Sequence, residues 1–257
     1  MLENFVSRLP SYIISLPVIL LALSVHEAAH GLVAYKLGDP TARNLGRITL
    51  NPLKHLNPIG FLMMLFFHVG FANPVPINSR NFKNPRRDMA LSSLAGPASN
   101  LLLAIISAVI LRLLLLLGGE IMQADFLAIY KGYMTQSAYS LSYIGTILSI
   151  LIFMAELSVS MNIGLAIFNL IPIPPLDGSR ILYVFLPPKW YFGIMKYEQI
   201  IMIVMLALLW LGMLDTPLYL AREGISSLLY NLTGMGYGSE AGSYLNLIQY
   251  HIYSLLA

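Results

Sequence analysis

The chain has no cysteine. Disulfides, thiolate metal sites and cysteine nucleophiles are therefore excluded, and a transition metal would have to be held by histidine or carboxylate. Charge is also scarce. Only 11% of the 257 residues are Asp, Glu, Lys or Arg, against about 25% in an average soluble domain. A soluble protein of this size could not cover its core with so few charges. A disordered chain or a nucleic-acid binder would carry many more. The net charge of +3 is small, and 57% of the residues are hydrophobic. With a mean hydropathy of +0.72, the composition suits the lipid bilayer.

A helix needs about 20 mostly apolar residues to span a bilayer. Four runs come near that length, at 11–34, 89–117, 141–171 and 200–214. A fifth, 59–72, would make a helix of only about 21 Å, which is too short to cross and reads as a re-entrant or interfacial segment. The expected fold is therefore an all-α polytopic membrane protein with about four transmembrane helices. Basic residues orient it. Lys36, Arg43, Arg47, Lys54, Arg80, Lys83, Arg86 and Arg87 lie between the first two spans, and Arg180, Lys189 and Lys196 between the last two, which is 11 of the 15. The positive-inside rule puts both connections in the cytoplasm and both termini outside the cell membrane. Residues 1–221 read as the membrane-embedded core and 222–257 as an amphipathic C-terminal interfacial segment, with Tyr244, Leu245, Ile248, Ile252 and Leu255 at helical spacing. Ala22-Leu23-Ser24 resembles a signal-peptide cleavage site, but the helical run continues past it into chemically loaded residues.

Those residues are His26-Glu27-Ala28-Ala29-His30, an H-E-x-x-H motif. Two histidines four apart lie on one helical face and can grip one Zn2+ ion, and the glutamate beside the first can take a proton from a water there. Three ionisable groups within an apolar run are costly and mark a functional site. A catalytic zinc needs a third protein ligand. Most acids fall at helix ends or in loops. Asp177 follows Asn169-Leu-Ile-Pro-Ile-Pro-Pro-Leu, where three prolines forbid regular helix. Irregular backbone at membrane depth is tolerated only where it lines a cavity or packs on protein, so Asp177 can be aimed at a metal. Its depth, just past the end of the third span, matches that of His30. Glu156 lies about 20 Å back along that span from Asn169 and reads either as lining a water path or as pairing with a neighbouring helix.

At this point the chain resembles the site-2 protease family of intramembrane zinc metalloproteases, in its short prokaryotic form. The matching stretches are His26–His30, Gly70-Phe-Ala-Asn-Pro-Val-Pro76, Ala95-Gly-Pro-Ala-Ser-Asn100 and Asn169 through Gly178. The resemblance implies one zinc per chain on His26, His30 and Asp177, Glu27 as catalytic acid/base, and Asn169 holding substrate or the oxyanion. It implies a re-entrant β-hairpin near 47–77, for which Arg47-Ile-Thr-Leu50 reads as a short strand that could pair with an extended substrate. The implied activity is zinc endopeptidase cleavage of transmembrane segments of membrane proteins, as in regulated intramembrane proteolysis, with the active site near the cytoplasmic side. No PDZ or nucleotide-sensing domain fits in the chain. The alternative is a zinc transporter or channel using the same residues as a transit site. It predicts polar residues through the whole membrane depth, whereas here they cluster near one side. Gly96 and Asn100 read as packing, giving close helix contact and an interhelical hydrogen bond. His55, His68 and His251 have no partner spacing and read as non-ligands.

Overall fold

The computed structural model describes residues 2–58, 60, 72–135, 142–236, 239 and 242. Among these the helices are α1 (Leu2–Lys36), α2 (Thr41–Asn44), α3 (Pro85–Thr135), α4 (Tyr143–Leu170), α5 (Asp177–Leu182), α6 (Pro188–Met195), α7 (Glu198–Trp210) and α8 (Asp215–Leu232), with short 3-10 turns at Pro52–Lys54 and Ser79–Asn81. The described residues contain no strand, only an isolated antiparallel bridge between Leu56 and Ala72.

Three helical stretches, Ile13–Lys36, Pro85–Ile121 and Tyr143–Leu170, are long and apolar enough to cross a membrane. They match the first three expected spans. The fourth differs. α7 has only 13 residues, and it reaches spanning length only together with α6, across a bend of 61°. The chain divides into two compact units. One comprises 19–103 and 161–223, the other 1–18, 104–160 and 224–257.

In the second unit, Ala104, Ala108, Leu111 and Leu115 form a buried stripe at helical spacing on α3, and Ile152, Ala155 and Val159 form one on α4. The Ser107 and Ser158 hydroxyls meet at 2.7 Å. A Cβ on Gly118 would lie 2.0 Å from Leu148 Cδ2, so glycine there admits the leucine. The opposite face of α3 exposes Ile105, Ile106, Val109, Ile110, Leu113, Leu116 and Leu117. A helix apolar on both its buried and its exposed faces is one solvated by lipid.

The first unit holds the chemically loaded residues. The end of α1 is tied down by Asp39, which is fully buried. Its Oδ1 accepts from the Thr41 backbone N–H, the Thr41 hydroxyl and Asn81 Nδ2, and its Oδ2 accepts from Asn78 N–H at 2.7 Å. This fixes the extended stretch 73–78 alongside α1. Gly31 allows the approach, since a Cβ there would come within 3.1–3.2 Å of Ala42, Ile48 and Val75.

The expected strand at Arg47–Leu50 is absent. The segment forms a loop instead: Arg47 N–H closes on the Ala42 carbonyl, the Thr49 hydroxyl oxygen takes Asn51 N–H, and the Thr49 carbonyl pairs with His55 Nε2. The expected re-entrant run at 59–72 lies outside the described residues save Gly60 and Ala72, but its flanks are side by side. Asn73 N–H donates to the His55 carbonyl at 2.7 Å, and Asn57 Nδ2 donates to Asn73 Oδ1 at 2.9 Å. The C-terminal residues expected to form an interfacial helix, 244–255, also lie outside the described residues.

Candidate metal centre

α1 carries His26, Glu27 and His30. The four-residue spacing stacks the two imidazoles on one face, edge to face, with centroids 4.6 Å apart. α3 runs antiparallel to this face and meets it with Ser92, Gly96 and Asn100, themselves four residues apart. The Ser92 carbonyl accepts from His30 Nδ1 at 2.7 Å, and its hydroxyl donates to the His30 carbonyl. Asn100 Oδ1 lies 2.5 Å from His26 Nδ1. Between them Gly96 makes room, because a Cβ there would fall 2.4 Å from His30 Nε2 and 2.6 Å from His26 Cε1.

The third group arrives from α5. Residues 171–176, which include all three prolines, form bends and turns rather than helix, and Asp177 opens α5 immediately after them. Gly178 lets this turn press onto the carbonyl end of α4, since a Cβ would lie 2.3 Å from the Leu170 carbonyl oxygen and 2.5 Å from that of Ile171. The result brings Asp177 Oδ2 to 3.2 Å from both His26 Nε2 and His30 Nε2, which are 3.0 Å from each other. Both histidines are 6% exposed.

The donor set fits a metal cation. A backbone carbonyl can only accept, so His30 Nδ1 bears a proton, and in the neutral ring Nε2 is the nitrogen that presents a lone pair. Asn100 gives the same result at His26, because its Nδ2 donates to Asn162 Oδ1 at 2.7 Å and to the Ala22 carbonyl at 3.3 Å and so turns its oxygen to the ring. With both rings neutral, two imidazole lone pairs and one carboxylate oxygen converge within 3.0–3.2 Å of one another. Such an arrangement is repulsive and costly when buried, and a cation bound at their centre relieves it. Two nitrogens and one oxygen are also the donors a zinc site open at one position uses. Among the described residues these three make the one group of this kind.

Glu27 is outside the donor set. Its Oε2 accepts the Val75 N–H at 2.8 Å. Pro74 and Pro76 have no N–H, so Val75 offers the single backbone donor of this triplet, and it points at Glu27. Asn169 stands at the last turn of α4, where its amide donates to the Leu165 carbonyl at 3.0 Å. No hydrogen bond joins it to the other expected site residues. Glu156 is buried on α4 and is not part of the donor group. His55 is buried with Nε2 on the Thr49 carbonyl, and His68 and His251 lie outside the described residues.

Sequence reasoning undervalued α3. Gly96 and Asn100, read as packing, contact the histidines directly. The signal was available in the spacing of Ser92, Gly96 and Asn100, which share one face with four-residue steps, as His26 and His30 do. Asn162, whose Oδ1 accepts from Asn100 Nδ2 at 2.7 Å, carried only the signal of a polar residue in an apolar run.

Known proteins resemble the chain over most of its length. The profile of peptidase family M50 matches residues 14–212. YwhC of Bacillus subtilis, named a zinc metalloprotease, is 38% identical over 182 residues, covering 71% of this chain and 72% of its own. Rip2 of Mycolicibacterium smegmatis, also so named, is 27% identical over 175 residues, covering 66% and 56%. Rip2 of Mycobacterium tuberculosis is 26% identical over 233 residues, covering 88% and 76%. No solved structure matches the chain. The histidine pair on α1, the broken segment before Asp177 and a match spanning most of the sequence lead to one assignment: the chain belongs to peptidase family M50, the site-2 proteases.

Proposed function

We propose that the protein is a zinc endopeptidase of the membrane that cuts peptide bonds within transmembrane segments of other membrane proteins. The observation that carries this reading is the convergence of three lone-pair donors, buried at the end of a helix able to span the bilayer, next to a carboxylate that is not one of them. His26, His30 and Asp177 would hold the ion. Bound there, zinc polarises a carbonyl and acidifies a water, which is the chemistry peptide hydrolysis requires.

Glu27 supplies the proton transfer. One of its oxygens is held by Val75 N–H, which fixes the side chain and leaves the other oxygen to take the proton of the attacking water and return it to the leaving amine. Asn169, turned from the Leu165 carbonyl, would donate its amide to the carbonyl oxygen of the scissile bond. Attack requires an extended substrate, because helical hydrogen bonds shield the peptide groups. The basic residues around 36–87 and 180–196 support a cytoplasmic position for the site and external termini.

The test is zinc content and cleavage of a co-expressed membrane substrate, measured side by side. Glu27→Gln should keep zinc and slow cleavage by at least 10²–10⁴-fold, the usual effect of losing a general base. Asp177→Ala should lose both. Near-normal cleavage by a zinc-replete Glu27→Gln protein would refute the mechanism. Zinc retained in Asp177→Ala would refute the ligand set. A metal carrier relying on the two histidines would keep its flux in Glu27→Gln.

A further inference from the structure

Asn162 lies on α4 and is fully buried, as is Asn100 on α3. Neither the peptide chemistry nor the ligand set uses Asn162. An amide pair between two apolar helices can act simply as glue. Its orientation indicates more. His26 Nδ1 lies against Asn100 Oδ1 at 2.5 Å, and Asn100 Nδ2 lies against Asn162 Oδ1 at 2.7 Å and the Ala22 carbonyl at 3.3 Å. An asparagine amide has one accepting end and one donating end of nearly equal size, so packing alone does not decide which faces the ring. Of the two acceptors that hold the donating end away from His26, Asn162 is much the closer.

We propose that Asn162 is a positioning residue for the metal centre. Acting through the amide of Asn100, it fixes the tautomer of His26 that carries its proton on Nδ1 and leaves Nε2 open toward Asp177 and His30. Without Asn162, the Asn100 amide can turn and present its NH2 group to Nδ1. Nδ1 must then accept, and the ring proton moves to Nε2, between the very atoms that would hold the ion. Partners of ligating histidines commonly set the tautomer in this way, and their loss typically costs 10–100-fold in metal affinity. This inference rests on the reading of His26, His30 and Asp177 as a zinc site.

The experiment uses the full chain purified in detergent. Zinc affinity is measured by competition with a chelating indicator, and the ligand field by the visible absorption of the Co2+-loaded protein. Asn162→Leu should bind zinc 10–100-fold more weakly and shift the Co2+ band. Asn162→Asp, which accepts but cannot donate, should stay within a few-fold of wild type. The decisive arm is Asn100→Asp. A carboxylate has no donating end to misdirect, so in that background adding Asn162→Leu should change zinc affinity little. A helix-gluing role would lower thermal stability while leaving affinity and spectrum unchanged, and that result overturns the proposal. So does an equal loss from Asn162→Leu in the wild-type and Asn100→Asp backgrounds. Should Asn162→Leu fail to fold, Asn162→Asp decides alone: retained affinity supports the proposal and a tenfold loss overturns it. Failure of the wild-type chain to bind zinc at all would instead refute the underlying site.

Discussion

Gly96→Ala should damage the metal centre more than the fold, and the size of the effect follows from distances. In an unencumbered helix, alanine is favoured over glycine by about 1 kcal/mol. At Gly96 the added Cβ would sit 2.4 Å from His30 Nε2, 2.5 Å from His30 Cε1 and 2.6 Å from His26 Cε1. Restoring an ordinary separation of about 3.5 Å requires the rings to retreat by about 1 Å. They cannot retreat from α3 cheaply, because their Nδ1 atoms are bonded to Ser92 and Asn100 on that same helix. Overpacking of this kind costs about 1–3 kcal/mol, enough to cancel or outweigh the propensity gain, so stability should fall by no more than about 2 kcal/mol. Metal sites tolerate only about 0.2 Å in ligand distance, and zinc affinity should therefore fall by at least the 10–100-fold seen when supporting bonds are lost. Gly164→Ala is the control. It lies on α4 with nothing within 4 Å of its added Cβ, so it should be neutral or stabilising by up to about 1 kcal/mol. The assay is zinc competition together with thermal unfolding for the three proteins. Zinc binding by Gly96→Ala within twofold of wild type would refute the contact of α3 with the histidine rings.

Two further outcomes follow. Burial works against the charge of Asp39, but hydrogen bonds from Thr41, Asn81 and Asn78 outweigh it and hold the carboxyl below the usual carboxylate range. A depressed carboxyl stabilises the fold above its unfolded value of about 3.9 and loses that contribution as pH falls through the lower folded value. Protection of the 78–82 amides against hydrogen exchange should thus hold at pH 5–7 and fall only below about pH 4, whereas Asp39→Ala should lack it even at pH 7; equal protection in the two proteins at pH 7 would contradict the anchoring role. Because the chain lacks cysteine, topology can be read cleanly with Ser79→Cys in intact cells. It should resist an impermeant thiol reagent until the membrane is opened, and labelling from outside would reverse the proposed orientation.

Legibility from sequence followed how locally each feature is determined. The histidine pair and Glu27 were legible because one helix fixes their relation, and helical periodicity is the strongest signal a sequence carries. Asp177 was legible because three prolines remove helix as an option and few acids compete for the role. The strand at Arg47–Leu50 was misread because β-propensity describes fit to a neighbour, and here the neighbours of Thr49 are Asn51 and His55 in its own loop. The fourth span was legible as an apolar run at 200–214, but not its form: α7 ends at Trp210 and reaches spanning length only together with α6, across a bend of 61° upstream of that run. α3 lies between these cases. Its face of Ser92, Gly96 and Asn100 can be drawn from spacing alone, yet a helical wheel gives a face without a partner. Only the antiparallel docking on α1, with residue 92 opposite 30 and residue 100 opposite 26, turns an absent side chain into space for two rings and an amide into a histidine's hydrogen-bond partner. Small and polar residues repeated every four positions in an apolar helix therefore have two physical readings, tight packing or support of a site, and the chemistry of the opposing face decides between them. In this chain that opposing face carries two imidazoles, so the same sequence spacing acquires a meaning that no property of α3 by itself could supply.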